Sequence, residues 1–253
     1  MYVDKNYIKI PETIDKANID TILNDLAKEL KKEFGKFMQF EIIIVGGASI
    51  VLNYDFRDAT RDVDCIVSPP TSINDAINRT GDKNGLENGW LNSDFKKTAS
   101  YSPKIIQYSK YYKQFQHILT VRTIADEYLI AMKLASIREY KHDKSDIVGI
   151  LISNTSIDMN KINKAVDDLY DGWNNMPNGA KKFVTTVLEN RTNNIYESVK
   201  YEENQNKKSL QQFEQEYKNV LNADNISDIL AAITKKEQND KNQNDTDYDE
   251  INL

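Results

Sequence analysis

The chain has one cysteine, Cys65, in 253 residues, so no internal disulfide can form and a reducing cytoplasm suits it. With only two histidines, His117 and His142, the side chains that build a conventional zinc site are missing. Nine glycines and five prolines leave no room for collagen-like or linker-type tracts. The longest uncharged apolar run, from Ile42 to Leu52, is far short of the roughly 20 residues of a membrane span. The opening MYVDKNYIKIPE has neither a basic leader nor an apolar secretory core. Membrane, secreted and metalloprotease classes are set aside on these grounds. A net charge of −6 also argues against a protein that coats DNA.

What the chain does have divides unevenly along its length. From Lys235 on, six acidic and three basic side chains account for half the net charge, and no apolar periodicity accompanies them. Such a segment is expected to be a disordered acidic tail, over 235–253. Ile19, Ile22, Leu23, Leu26 and Leu30 recur at helical spacing, so a helix is expected over about 14–34, closed by Gly35. FEIIIVGG reads as a buried strand stopped by Gly46-Gly47, with ASIVLNY starting a short helix. DVDCIV and HILTVRT read as two further strands, and SINDAINRT and DEYLIAMKLASIREY as helices. The segment from Trp90 to Tyr112 has no clear period. Beyond about residue 157 only helical patterns remain. The expected fold is α+β, with a small mixed β-sheet flanked by helices and an α-helical C-terminal extension. In residue terms, 1–155 form the α+β domain and 156–234 the helical region.

The chemistry concentrates in Ile42–Val67. Strand alternation puts Asp62 and Asp64 on one face, with Val63 and Cys65 on the other. Carboxylates two apart on a strand stand about 7 Å apart at Cα, close enough to share divalent cations. Mg²⁺ prefers such carboxylates together with phosphate oxygens and water. A solvated strand end is the plain alternative. The preceding strand ends in Gly46-Gly47 and leads into a helix opening with Ala48-Ser49, a natural cradle for phosphate. Arg57, Thr60 and Arg61 lie in the connection, where they can meet a triphosphate or face solvent.

Lys133 falls inside the apolar arc of its helix, between Leu129 and Ile137. A lysine there must snorkel, pair with an acid or meet a ligand phosphate. Asp146 can cap the helix after Ser145, which leaves Asp143 as the acid nearer the chemistry. Five lysines and five aromatics interleave from Lys96 to His117, a pattern that suits either a nucleic-acid strand or a solvated basic face.

VGGASIVLNYDFRDATRDVDCIV resembles the signature of the nucleotidyltransferase superfamily, a Gly-Gly/Ser turn followed by Asp-x-Asp on the next strand. It is more closely similar to bacterial nucleotidyltransferase-like proteins related to the AbiEii and MenT toxins of abortive-infection and toxin–antitoxin systems. The Trp90-Leu91-Asn92 region and EYLIAMKLASIREYKHDKSDI extend the likeness over roughly residues 38–153. The resemblance implies a Mg²⁺-dependent enzyme moving a nucleotidyl group from an NTP to a hydroxyl acceptor. RNA such as tRNA is the favoured acceptor, and a cognate antitoxin protein a possible partner. It assigns Asp62 and Asp64 to the metal, and Gly46, Gly47 and Ser49 to the phosphates, with Arg57 and Thr60 beside them. Lys133 and Asp143 match the later lysine and acid. One departure stands out. The strand expected to carry a third carboxylate, HILTVRT, has Arg122 instead, so a catalytically inactive nucleotide- or protein-binding module is the alternative.

Overall fold

The computed structural model describes residues 13–68, 73–217, 220–222 and 225–235. The expected acidic tail beyond residue 235, and the proline pair expected to close the second strand, lie outside them. The described residues divide into two compact units. The first runs to Ser136 and resumes over Asp146–Arg191; the second joins Ile137–Ser145 to the residues from Thr192 onward.

In the first unit, β1 (Ile14–Asp15) precedes α1 (Ile19–Phe34), β2 (Phe40–Ile44), α2 (Gly46–Asn53), β3 (Ala59–Thr60) and β4 (Val63–Ser68). Then follow α3 (Asn74–Asn84), β5 (Leu91–Asn92), β6 (Ser109–Phe115), β7 (Leu119–Ile124) and α4 (Asp126–Ser136). Five strands form a mixed sheet in the order β5-β4-β2-β7-β6, and β1 and β3 make a separate antiparallel pair. β2 runs antiparallel to β4 and parallel to β7. This is the mixed α+β architecture expected, with more strands than the sequence reveals. α5 (Asp143–Ser153) begins in the second unit and ends in the first; α6 (Met159–Tyr170) and α7 (Ala180–Glu189) belong to the first. α8 (Asn193–Glu216) and a helical stretch over 226–235 belong to the second, so the described C-terminal residues are mainly helical.

Sheet pleat decides which side chains meet. Ile42 and Ile44 of β2, Val63 and Cys65 of β4, and Leu119 and Val121 of β7 join Leu23, Leu26 and Leu30 of α1 in one buried cluster. Trp90 lies in the same cluster, its indole N–H donating to the Ile77 carbonyl at 2.9 Å. The opposite sheet face carries Ile43, Asp64, Ile66 and Arg122, as the Ile43↔Ile66 and Ile43↔Arg122 pairs require. α2 packs beside β3 and β4.

Three elements differ from expectation. Residues 14 and 15 are not helical, because Ile14 pairs with Thr60 and Asp15 with Ala59 in β1–β3. α3 continues through Gly81 to Asn84, past the SINDAINRT stretch that reads as helical. A Cβ on Gly81 would stand 3.0 Å from Trp90 Cδ1, so that glycine permits a close helix contact rather than breaking the helix. α4 ends at Ser136, four residues short of Tyr140, and Ile137 has φ +31.

Candidate active site

β2 and β4 are neighbouring antiparallel strands, so the end of β2 meets the start of β4. α2 opens directly at Gly46, and its N-cap residue Val45 offers no side-chain acceptor to the first turn. Instead the Val45 N–H donates to the Asp64 carbonyl at 2.9 Å, locking the turn to β4. The Asp64 carboxylate lies against the same turn. A Cβ on Gly46 would stand 3.1 Å from Asp64 Oδ2, and Gly46 has φ +62, so glycine answers both the space and the backbone there. A carboxylate is also the charge that a helix N-terminus favours.

Gly47 faces the other way. A Cβ there would come within 2.6 Å of Arg57 Nη2, so the guanidinium rests on the bare backbone of the turn. Arg57 Nη1 is held by Asp146 Oδ2 at 2.5 Å, and the same oxygen takes Lys133 Nζ at 2.6 Å. Arg57 and Lys133 thus share one buried carboxylate, and the Arg57 guanidinium lies against the start of α2, the place expected to bind phosphate.

Ser49 is buried, and its hydroxyl has no hydrogen-bond partner among the described residues. Thr60 is buried in β3, where its hydroxyl donates to the Asp62 carbonyl at 3.1 Å. Its side chain therefore shapes the approach to β4. β4 begins at Val63, which puts exposed Asp62 one residue ahead of the strand and half-buried Asp64 within it. Asp62 lines a hollow of about 370 Å³ together with Arg61, Glu87, Asn88, Trp90 and Asn92. Cys65 points into the core, and burial, helped by the nearby Asp64 charge, pushes its thiol up to about 12. It stays a neutral thiol at any physiological pH.

Asp143 belongs to the second unit, where it is buried and bonded to Arg138 through Nε at 2.8 Å and Nη2 at 3.1 Å. There too Glu203 accepts the N–H groups of Lys144 and Ser145, and so caps the first turn of α5. In the first unit, it is Asp146 that joins Lys133 to Arg57. Of the three roles open to a lysine in that apolar arc, the structure shows the ion pair with an acid.

No acid lies on β7. Arg122 shares the sheet face of Asp64 but is tied to β6, donating to Ser109 Oγ at 2.8 Å and to the Ser109 carbonyl at 2.6 Å. Asp126, at the start of α4, accepts from Lys110 at 2.7 Å and from Asn154 at 3.0 Å. Burial, and then Asp126, push the Tyr54 hydroxyl well above its ordinary range.

A family described as nucleotidyltransferases of unknown function (DUF6036) matches this chain over residues 21–220. The chain belongs to that family. No curated protein and no solved structure matches it. The family match spans both glycines, Asp62, Asp64, Arg57, Lys133, Asp143 and Asp146. It agrees with the superfamily that Ile42–Val67 resembles.

Among the described residues no three His, Cys, Asp or Glu side chains are grouped to hold a metal. Asp62 and Asp64 alone are a donor set that suits Mg²⁺, which is commonly bound by one or two carboxylates with phosphate oxygens and water completing its shell. Among the described residues no helix is long and apolar enough to cross a membrane.

Proposed function

We propose that the chain moves a nucleotidyl group from an NTP to a hydroxyl acceptor and releases pyrophosphate. The observation that carries this is the Asp64 carboxylate set against Gly46 at the start of α2. It supports the reading because a carboxylate, which suits a metal, and a helix N-terminus, which suits phosphate, lie side by side. The β- and γ-phosphates would lie on the N–H groups of Gly46, Gly47 and Ala48, with the Ser49 hydroxyl as a further donor. Lys133 and Arg57, held by Asp146, would offset the negative charge that develops on the departing pyrophosphate. The acceptor oxygen bonds to the α-phosphorus as the bond to the bridging oxygen breaks, and the hydroxyl proton passes to solvent. Asp62 and Asp64 would hold Mg²⁺, which supplies Lewis-acid polarisation of the phosphate oxygens when bound. Likeness to the AbiEii and MenT group favours an RNA acceptor such as tRNA, a role in defence or growth arrest, and a cognate antitoxin.

The test is label transfer. Purified protein meets each α-labelled NTP with Mg²⁺ and total RNA, beside the Asp62→Ala/Asp64→Ala double variant. Label on RNA that vanishes in the variant supports the enzyme; label on protein would retain the reaction and replace the acceptor.

A second reading is favoured by Arg122, which occupies the Asp64 face of β7 where an acid would serve as base. On that reading the fold binds nucleotide without turnover. NTP with Mg²⁺ would then raise the melting temperature, since a ligand that binds only the folded state stabilises it, yet no label would move.

A further inference from the structure

The hollow beside Asp62 is polar on every side that the loops supply. Asp62, Glu87, Asn88 and Asn92 line it together with Arg61, over a floor made by Trp90. Its position is fixed by the sheet. β5 runs parallel to β4 with Leu91 opposite Val63 and Asn92 opposite Asp64, and the Val63 N–H donates to the Trp90 carbonyl at 2.6 Å. The hollow therefore opens beside the metal-type pair, at Asp62, while the phosphate-type turn lies at Asp64. Its volume of about 370 Å³ falls at the lower end of small-molecule sites.

The chemistry of its walls is selective. Two carboxylates, Asp62 and Glu87, disfavour a terminal phosphate in the hollow but accept hydrogen bonds from hydroxyls. A carboxylate is well suited to a ribose diol, whose two adjacent O–H groups both donate. Asn88 and Asn92 add amide donors and acceptors. Asn92 is already pre-set, its Nδ2 donating to the Gly89 carbonyl at 3.1 Å and its Oδ1 accepting the Asp94 N–H at 2.8 Å. Arg61 gives one cation for a phosphate that precedes the diol.

We infer that this hollow is the acceptor pocket, that it takes the terminal ribonucleoside of an RNA, and that Glu87 reads its 2′-hydroxyl. The inference rests on the proposed nucleotidyl transfer for its acceptor role. A 3′-hydroxyl held there stands beside Asp62, within a dipeptide of the residue that faces the α2 turn. The 2′-hydroxyl is the group that separates RNA from DNA at such a site.

The test uses the full chain and two 5′-fluorescein pentanucleotides of one sequence, one ending in a ribonucleotide and the other in a 2′-deoxynucleotide. Affinity is read by anisotropy with Mg²⁺ present, beside NTP affinity. The wild type should bind the ribo end about ten-fold tighter, the factor expected from one hydrogen bond to a charged group. Glu87→Gln keeps an acceptor but loses the charge, so it should cut that ratio to about three-fold with NTP affinity unchanged. Glu87 is exposed in the loop after α3, so the variant should fold, and an unchanged melting temperature confirms it. Equal binding of both ends by the wild type overturns the inference. So does a Glu87→Gln effect confined to NTP affinity, which would make the hollow the base pocket instead. Ribo-end discrimination without label transfer would sink the enzyme but keep the pocket. Transfer without discrimination would do the reverse.

Discussion

Replacing Asp146 by asparagine is the sharpest test of how the site is held. The carboxylate is buried, and one oxygen takes both Lys133 at 2.6 Å and Arg57 at 2.5 Å. Asparagine keeps the shape and one acceptor but removes the charge, so the two cations lose the carboxylate they share. Removing one partner of a buried ion pair costs about 3–5 kcal/mol. The Arg57 side chain is 19% exposed and can lean toward water, which places the expected loss near the bottom of that range. About 3 kcal/mol should lower the urea midpoint by about 1 M. The assay is urea unfolding at pH 7 followed by tryptophan fluorescence, since Trp90 and Trp173 both belong to the first unit with Asp146. Lys133→Met is then added to Asp146→Asn. If the cost is uncompensated charge, removing the buried ammonium should restore about 1–2 kcal/mol of what the first change lost. An Asp146→Asn protein within about 1 kcal/mol of wild type would refute the reasoning. A double variant that is simply the sum of its singles would refute it as well.

Gly46→Ala should cost about 1–2 kcal/mol for a side chain at φ +62, and should abolish label transfer by displacing the Asp64 carboxylate; a melt beside the transfer assay checks both. The β6–β7 hairpin turns through Gln116 and His117, at φ +50 and +57, without a glycine or asparagine. His117→Gly should therefore stabilise by about 0.5 kcal/mol, after the entropy that glycine loses on folding, as an increase in urea midpoint. Burial alone would raise the Asp25 pKa, but hydrogen bonds from Lys83 and Lys28 outweigh it and hold the carboxyl below its ordinary value. A depressed folded-state pKa gives stability that is present above the unfolded value of about 4 and lost as pH falls through the folded one. Lys28→Met/Lys83→Met should thus lower stability at pH 7 and flatten its decline below about pH 4, in unfolding curves taken from pH 7 to 2.5. An unchanged acid slope would count against the two lysines as the cause.

The parts of the fold visible in the sequence were those with a period. The β-branched run of β2, the helical spacing of α1 and the apolar stretch of β7 each bury a face, and burial is what imposes a pattern. β1, β3 and β5 span two residues each, too short for any alternation to register. β6 is an edge strand with mostly uncovered side chains, so nothing forced its residues to alternate. Within the site, the close approach of Asp64 to Gly46 was readable, because a glycine pair marks a strand-to-helix turn and strand alternation sets the face of Asp64. Asp146 was only half readable. Lys133 in an apolar arc left an acid, a ligand phosphate or snorkelling open, and Asp143 and Asp146 were both within reach along the chain. The choice among them depends on how α5 is seated, a tertiary fact. Arg61 and Asn92 stood out singly, but their convergence with Glu87 and Asn88 in one hollow did not, because loop residues that meet in space share no spacing in sequence.

The lysine-rich stretch before β7 has an electrical consequence that its composition conceals. Four of its five lysines are matched singly with acids: Lys97 with Asp94, Lys104 with Asp171, Lys110 with Asp126 and Lys113 with Asp20, at 2.6–2.9 Å. A polyanion approaching that face meets dipoles instead of a field, and must dismantle an ion pair for each phosphate it would neutralise. Few counterions would be released from the nucleic acid in exchange. An RNA that lay along this face would therefore bind it with an affinity that responds little to added salt.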